Sequence, residues 1–374
     1  MDIFDVIILI GIVQGILLGL ALLTFKRGNR KANGLLGLLM ITFSLSISHF
    51  LLSSLNQYVR FPHLMRINQP LVFLFGPLLY FYVSVLIRKN FQFRLIHSLH
   101  MLPYFLFLLY LTPFYIKSSD QKLLLLQQWQ SQISAVDLFI ESVQVAHLFV
   151  YIYLVNRKLK QHEQQLKNQF SSIDKTNLHW VRSIIAMLLG VFILIGLMIL
   201  LGILGGFDEW LIHYGGKLIA VLVSICIYAM GYLGLRQPEI FIGKEEEIVS
   251  GKKYQTSPLT PEQSRKYLEE IKTYFEVEKP YLNSLFKLAD LAKATHIPAY
   301  QVSQVINEQL NMNFFELVNS FRIREVQRRL ASPEYKAYSI LAIAYDVGFN
   351  SKSAFNQAFL KYSGMTPSRY RRDR

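Results

Sequence analysis

Residues 343–372 read IAYDVGFNSKSAFNQAFLKYSGMTPSRYRR, the pattern of a helix, a glycine turn and a second helix. Ser339 is placed to cap the first helix, which buries Ile340, Ile343, Ala344 and Val347. Gly348 supplies the left-handed backbone that ends it, and Phe349 returns to the core. The second helix buries Ala354, Phe355, Ala358, Phe359 and Tyr362. Its other face carries Ser351, Lys352, Ser353, Asn356, Gln357 and Leu360.

The same arrangement occurs once upstream, in LFKLADLAKATHIPAYQVSQVINEQL at 285–310. Val302, Val305 and Ile306 make the inner stripe, leaving Tyr300, Gln301, Ser303, Gln304 and Asn307 outside. An ordinary solvated helix carries a glutamate–lysine mixture on that side. Short and amide side chains instead suit base edges, since amides pair bidentately with adenine. These outward residues of both units, Leu360 aside, are the base-reading candidates.

Between the units, NFFELVNSFRIREVQRRL begins with Asn313 and Glu316 in capping-box spacing. It predicts a helix of about 18 residues, roughly 27 Å long. That length can hold two reading helices about one DNA turn apart, ~34 Å. Arg322, Arg324 and Arg328 on this connector, with Lys361, Arg369 and Arg371, are candidates for phosphate contacts.

The segment Asp346-Val347-Gly348-Phe349, the Ser351, Phe355 and Phe359 spacing and GMTPSRYR at 364–371 resemble the AraC/XylS-type signature. The resemblance covers about the last 95 residues. It implies a DNA-binding transcription regulator with two helix-turn-helix units. The whole layout resembles membrane-bound regulators of that type with a multi-span N-terminal region. Gln357 and Leu360 stand where the family often has arginine and lysine, so the second reading helix has less positive charge. Asn311 stands where glycine is common, and asparagine tolerates that geometry.

What precedes this domain is different in kind. The 374-residue chain is 52% hydrophobic with a net charge of +14, and the apolar residues sit in long blocks before Gln237. Crossing ~30 Å of hydrocarbon takes roughly 20 apolar residues. Blocks at 3–25, 35–55, 67–87, 95–115, 133–155, 181–204 and 217–235 qualify. The expected fold class is therefore all-α: about seven membrane spans over 1–235, a linker with an amphipathic helix over 236–280, and a double helix-turn-helix domain over 281–374. The first block begins with Asp2 and Asp5 and has no small-residue cleavage site, unlike a secretory signal. The single cysteine, Cys226, excludes a disulfide framework within one chain.

Basic residues set the expected orientation. One set of alternate loops holds Lys26, Arg27, Arg30 and Lys31, then Arg88, Lys89 and Arg94, then Arg157, Lys158, Lys160, Lys167 and Lys175. The intervening loops are poorer. The rich loops belong inside, which puts the N-terminus outside a bacterial inner membrane and the C-terminal domain in the cytoplasm with the DNA. The charge divides into about +9 up to Leu235 and about +5 after it, matching anionic headgroups in one half and phosphate in the other.

Within the spans, Gly11, Gly15 and Gly19 at spacing four allow close helix approach, either inside the bundle or in a homodimer. Gly76-Pro77 predicts a kink in the third span. On the fifth, Asp137, Glu141 and Gln144 share a stripe with His147 nearby. Charges at membrane depth face a bundle interior or a wet cavity, so these four are a candidate sensing site for an unknown ligand or membrane stimulus, or else structural hydrogen bonds. His97 and His100 have metal-ligand spacing without companions, and no metal or other cofactor is expected. No HExxH pair, nucleophile elbow or phosphate-binding glycine loop occurs, so no enzymatic activity is expected. A transporter-like or channel-like protein with a regulatory cytoplasmic domain is the alternative function, although no inverted repeat is visible.

Overall fold

In the computed structural model, residues 1–25, 28–88, 91–129, 135–173, 178–204, 209–235 and 259–373 are described, and every regular element among them is a helix. Of the linker expected over 236–280, residues 236–258 lie outside the described residues. The chain divides into two units, Met1–Leu159 with Leu178–Glu245 and Lys160–Asn177 with Glu246–Arg374.

The first unit holds α1 (Ile3–Thr24), α2 (Arg30–Ser54), the single turn α3 (Gln57–Arg60), α4 (Asn68–Ile87), α5 (Leu102–Tyr115), α6 (Ser119–Trp129), most of α7 (Ala135–Gln169), α8 (His179–Ile203) and α9 (Glu209–Leu235). Seven helical stretches among the described residues are long and apolar enough to cross a membrane, the number expected. The fourth enters through a 3₁₀ segment, Leu95–Met101, before α5. The short α6 lies where a loop was expected between two spans. Large apolar side chains such as Ile10, Leu17, Leu109, Phe139 and Ile193 are exposed on this unit's outside, as a hydrocarbon solvent permits.

The three glycines of α1 face inward. A Cβ on Gly11 would meet Ser224 Oγ at 2.4 Å, one on Gly15 would meet Ser44 Oγ at 2.0 Å, and one on Gly19 would meet Gly37 O at 2.8 Å. The stripe thus serves packing of α1 on α2 and α9. Gly76 of α4 likewise makes room for the Tyr151 ring, 2.5 Å from where its Cβ would lie. His97 stacks on Phe91, and His100 Nδ1 shares a 2.6 Å hydrogen bond with Tyr151 OH. No cluster of potential metal ligands occurs among the described residues.

The second unit contains α10 (Pro261–Val277), α11 (Leu288–Thr295), α12 (Ala299–Leu310), α13 (Phe314–Ala331), α14 (Ile340–Asp346), α15 (Lys352–Ser363) and α16 (Pro367–Arg372). It also takes in the end of α7 and the residues after it. Beside a smaller cluster of Leu166, Phe170 and Ile173, its apolar side chains form two main cores. One gathers Ile271, Phe275, Leu291, Val302, Val305 and Ile306 against Phe314, Leu317, Val318 and Phe321. The other sets Ile343, Ala344, Val347, Phe355 and Phe359 against Ile323 and Val326. The first half of α13 therefore belongs to one core and its second half to the other.

The capping chemistry follows the sequence closely. Asn313 and Glu316 form a reciprocal box at 2.9 and 3.0 Å, and Ser339 accepts from the Ala342 amide at 3.1 Å. Asn311 adopts φ 51° and Gly348 φ 101°. At Gly348 glycine is required twice over, because a Cβ would also lie 2.7 Å from Tyr281 O.

Candidate nucleic-acid interface

α12 and α15 are the second helices of the two helix-turn-helix units. The inner stripe of α12, Val302, Val305 and Ile306, is fully buried. Tyr300 is exposed, while Gln301, Ser303, Gln304 and Asn307 are half-buried. Gln304 Nε2 donates to Glu308 Oε1 at 3.1 Å, and Asn307 Nδ2 donates to Ser303 O at 2.8 Å. Both amides are held along the helix and would have to turn outward to meet a base edge. On α15, Phe355, Ala358 and Phe359 are buried, and Lys352, Ser353, Asn356, Gln357 and Leu360 are exposed. Ser351 is the N-cap, its Oγ accepting from the Ala354 amide at 3.2 Å. Its hydroxyl is thus already engaged in starting the helix.

The basic residues divide. Arg324 is exposed and lies over the Phe321 ring, 4.0 Å from its centroid. Lys361 is exposed and paired to Glu316 at 2.6 Å, and Arg369 is exposed beside Asp373. Arg371 donates to Tyr338 O at 2.7 Å. Arg328 grips Glu325 with two bonds of 2.7 and 2.9 Å. Glu325 also takes Arg329 at 2.8 Å, and Arg329 reaches on to Asp346. The hydrogen bond from Arg328, with that from Arg329, overcomes burial and holds the Glu325 carboxyl down at about 2.

Arg322 corrects an expectation. It is 1% exposed and is not available to phosphate. Its Nε donates to Tyr281 O at 2.7 Å, its Nη1 to Ser171 O at 3.0 Å and its Nη2 to Asn283 O at 3.0 Å. Burial pulls its pKa down to about 10, so the guanidinium is still charged at neutral pH. A buried cation needs such acceptors. The faces of α13 were visible in the sequence; what covers this one was not.

The residues covering it are those after the fifth span. Leu166, Phe170 and Ile173 are buried against Phe315. Ser171 N donates to Phe286 O at 3.2 Å, Phe170 forms an isolated antiparallel bridge with Lys287, and Asn350 Nδ2 donates to Ser172 Oγ at 3.0 Å. The apolar residues Leu166, Phe170 and Ile173, recurring at helical spacing past Arg157-Lys158, are the signal that could have found this contact.

Two of the four residues of the expected sensing stripe meet at the start of α4, where Arg66 Nε donates to Gln69 Oε1 at 2.8 Å. Asp137 pairs with Arg66, and Gln144 Nε2 donates to Gln69 O at 3.0 Å. The His147 ring packs on Phe73 and Tyr151. Glu141, for which a bundle interior or a wet cavity was expected, is exposed on the protein's surface.

Residues 291–373 match the family described as helix-turn-helix domain. Over 110 residues the chain is 26% identical to the Msm operon regulatory protein of Streptococcus mutans serotype c, covering 29% of this chain and 37% of that one. Over 96 residues it is 33% identical to the transcriptional activator RhrA of Rhizobium meliloti, covering 26% and 30%. The chain spans about a third of the length of these relatives. A solved structure of a protein of unknown function from Listeria innocua aligns with 31% of this chain and 98% of its own, at 21% identity and a TM-score of 0.25. The C-terminal part of the chain is a helix-turn-helix domain of the AraC type.

Proposed function

We propose that the chain is a membrane-anchored, one-component transcription regulator. Its C-terminal domain reads double-stranded DNA in two successive major grooves, and its N-terminal helices hold it at a bilayer and receive a stimulus. The observation that carries this reading is the joining, in one polypeptide, of seven apolar helices to two helix-turn-helix units built on one 18-residue helix. Each unit buries one face of its second helix and leaves polar side chains on the other. The exposed apolar side chains of the first unit support lipid as its solvent. The basic loops support an N-terminus outside and a C-terminus in the cytoplasm. Both relatives are named as regulators, which supports a non-enzymatic role.

In this scheme Gln304, Asn307, Asn356 and Gln357 read bases, and Arg324, Lys361 and Arg369 contact phosphate. Selection of oligonucleotides from a random pool by the full chain in lipid nanodiscs tests it. Enrichment of two half-sites about one helical turn apart is the expected result. A pool that stays random would overturn the reading, as would a reporter fused after Arg374 that is active only outside the cell.

A further inference from the structure

The carboxyl end of α7 is the best-anchored contact of the second unit that DNA reading does not use. α7 is a single helix of 35 residues, Ala135–Gln169. Its last ten residues, with the short extended stretch that follows, belong to the second unit. This stretch touches three separate parts of the helix-turn-helix domain. Phe170 and Ser171 pair with Lys287 and Phe286 at the start of the first helix-turn-helix. Leu166, Phe170 and Ile173 pack on Phe315, and Ser171 O accepts from Arg322, both on the shared helix α13. Ser172 meets Asn350, the residue before the N-cap of α15, in the second.

Arg322 is where the halves meet. Its other acceptors are Tyr281 O, Asn283 O and, at 3.5 Å, Asn319 Oδ1, and its Nε lies 3.1 Å from the position a Cβ on Gly348 would take. The two cores share α13, and Leu282 packs against both. The angle between the halves is therefore set at this polar junction as much as by apolar packing. Withdrawing the Ser171 carbonyl would leave a buried guanidinium short of one acceptor.

We infer that residues 166–173 are an intramolecular docking segment that holds the two helix-turn-helix halves in one fixed relation, so that DNA affinity is controlled through α7. The inference rests on the DNA-reading function proposed above. Two rigidly related reading helices bind a two-half-site DNA with the second contact made at high effective concentration. Loosening the segment reduces that advantage and leaves single-site binding intact.

The test uses the full chain in nanodiscs and the DNA selected by the parent. Phe170→Ala is expected to bind the two-half-site DNA at least tenfold more weakly while keeping its affinity for a single half-site. A Ser172→Cys and Asn350→Cys pair, added in a Cys226→Ser background and oxidised with diamide, is expected to form a disulfide and restore the lost affinity. Dithiothreitol should abolish the rescue. If Phe170→Ala does not fold, Ile173→Ala takes its place with the same rescue. Unchanged two-site binding by the variant overturns the inference and leaves the DNA reading standing, as does a loss that the disulfide fails to restore. A parent that selects no DNA overturns both, and the disulfide then reports only that the segment docks.

Discussion

Arg322 and Ser171 stand 151 positions apart, and the guanidinium of the first donates to the carbonyl of the second at 3.0 Å. The bond joins the middle of the helix shared by both helix-turn-helix halves to the residues just past α7. It turns an arginine of phosphate-binding appearance into an internal one, and moves the search for phosphate contacts to its exposed neighbours.

Arg324 is the first of these. Arg324→Ala is expected to weaken binding to all DNA sequences similarly and to reduce the slope of log affinity against log salt by about 1. Gln304→Ala should instead reduce discrimination between sequences by about 1–3 kcal/mol with little change in that slope. Fluorescence anisotropy titrations at several salt concentrations separate the two. Identical behaviour would show that base and phosphate contacts have been assigned to the wrong residues.

Gly348 has φ 101° and faces two carbonyls, those of Tyr281 and Leu282, at 2.7 and 2.8 Å from its would-be Cβ. Gly348→Ala should destabilise the second helix-turn-helix unit by at least ~2 kcal/mol. Hydrogen exchange of the intact protein is the measurement. Amides of α14 and α15 should lose protection, and those of α12 should follow, because both halves pack on α13.

Acid should act on the same domain. Glu325 titrates at about 2 when folded, against 4.5 for an ordinary glutamate, because Arg328 and Arg329 hold its charged form. A depressed pKa contributes stability that is complete above about 4.5 and disappears as the pH falls toward 2. The contribution is on the order of 2 kcal/mol. Denaturant melts at pH 6 and pH 3 should show a smaller acid-induced loss in Glu325→Gln than in the parent. An equal loss in both would remove Glu325 from the account.

In the first unit, Gly19→Ile forces a side chain onto Gly37 O and Ile41. Overpacking of this kind costs about 1–3 kcal/mol. The protein in lipid nanodiscs should melt at lower temperature with its oligomeric distribution unchanged. A shift from dimer to monomer without loss of thermal stability would return the glycine stripe to an intermolecular role.

Much of this architecture was legible because it rests on local chemistry. Asn313 with Glu316, Ser339 and Gly348 mark helix ends through local backbone chemistry, and the candidate spans announce themselves by length. The glycine stripe of α1 left two partners open, since close approach is a local property and the identity of the approaching helix is not. Arg322 was misplaced for a related reason. Helical periodicity assigns residues to faces, but only tertiary packing decides which face is covered. The covering segment at 166–173 was hidden by its setting, a basic stretch between two spans that ordinarily reads as a solvated loop.

The division of α13 between two apolar cores has one more consequence. Phe321 and Ile323, two positions apart, serve different cores, so neither half can lose its packing without unwinding turns the other depends on. Denaturation of the domain is therefore expected to be a single cooperative event, and a lesion near one reading helix will be felt as lost order beneath the other.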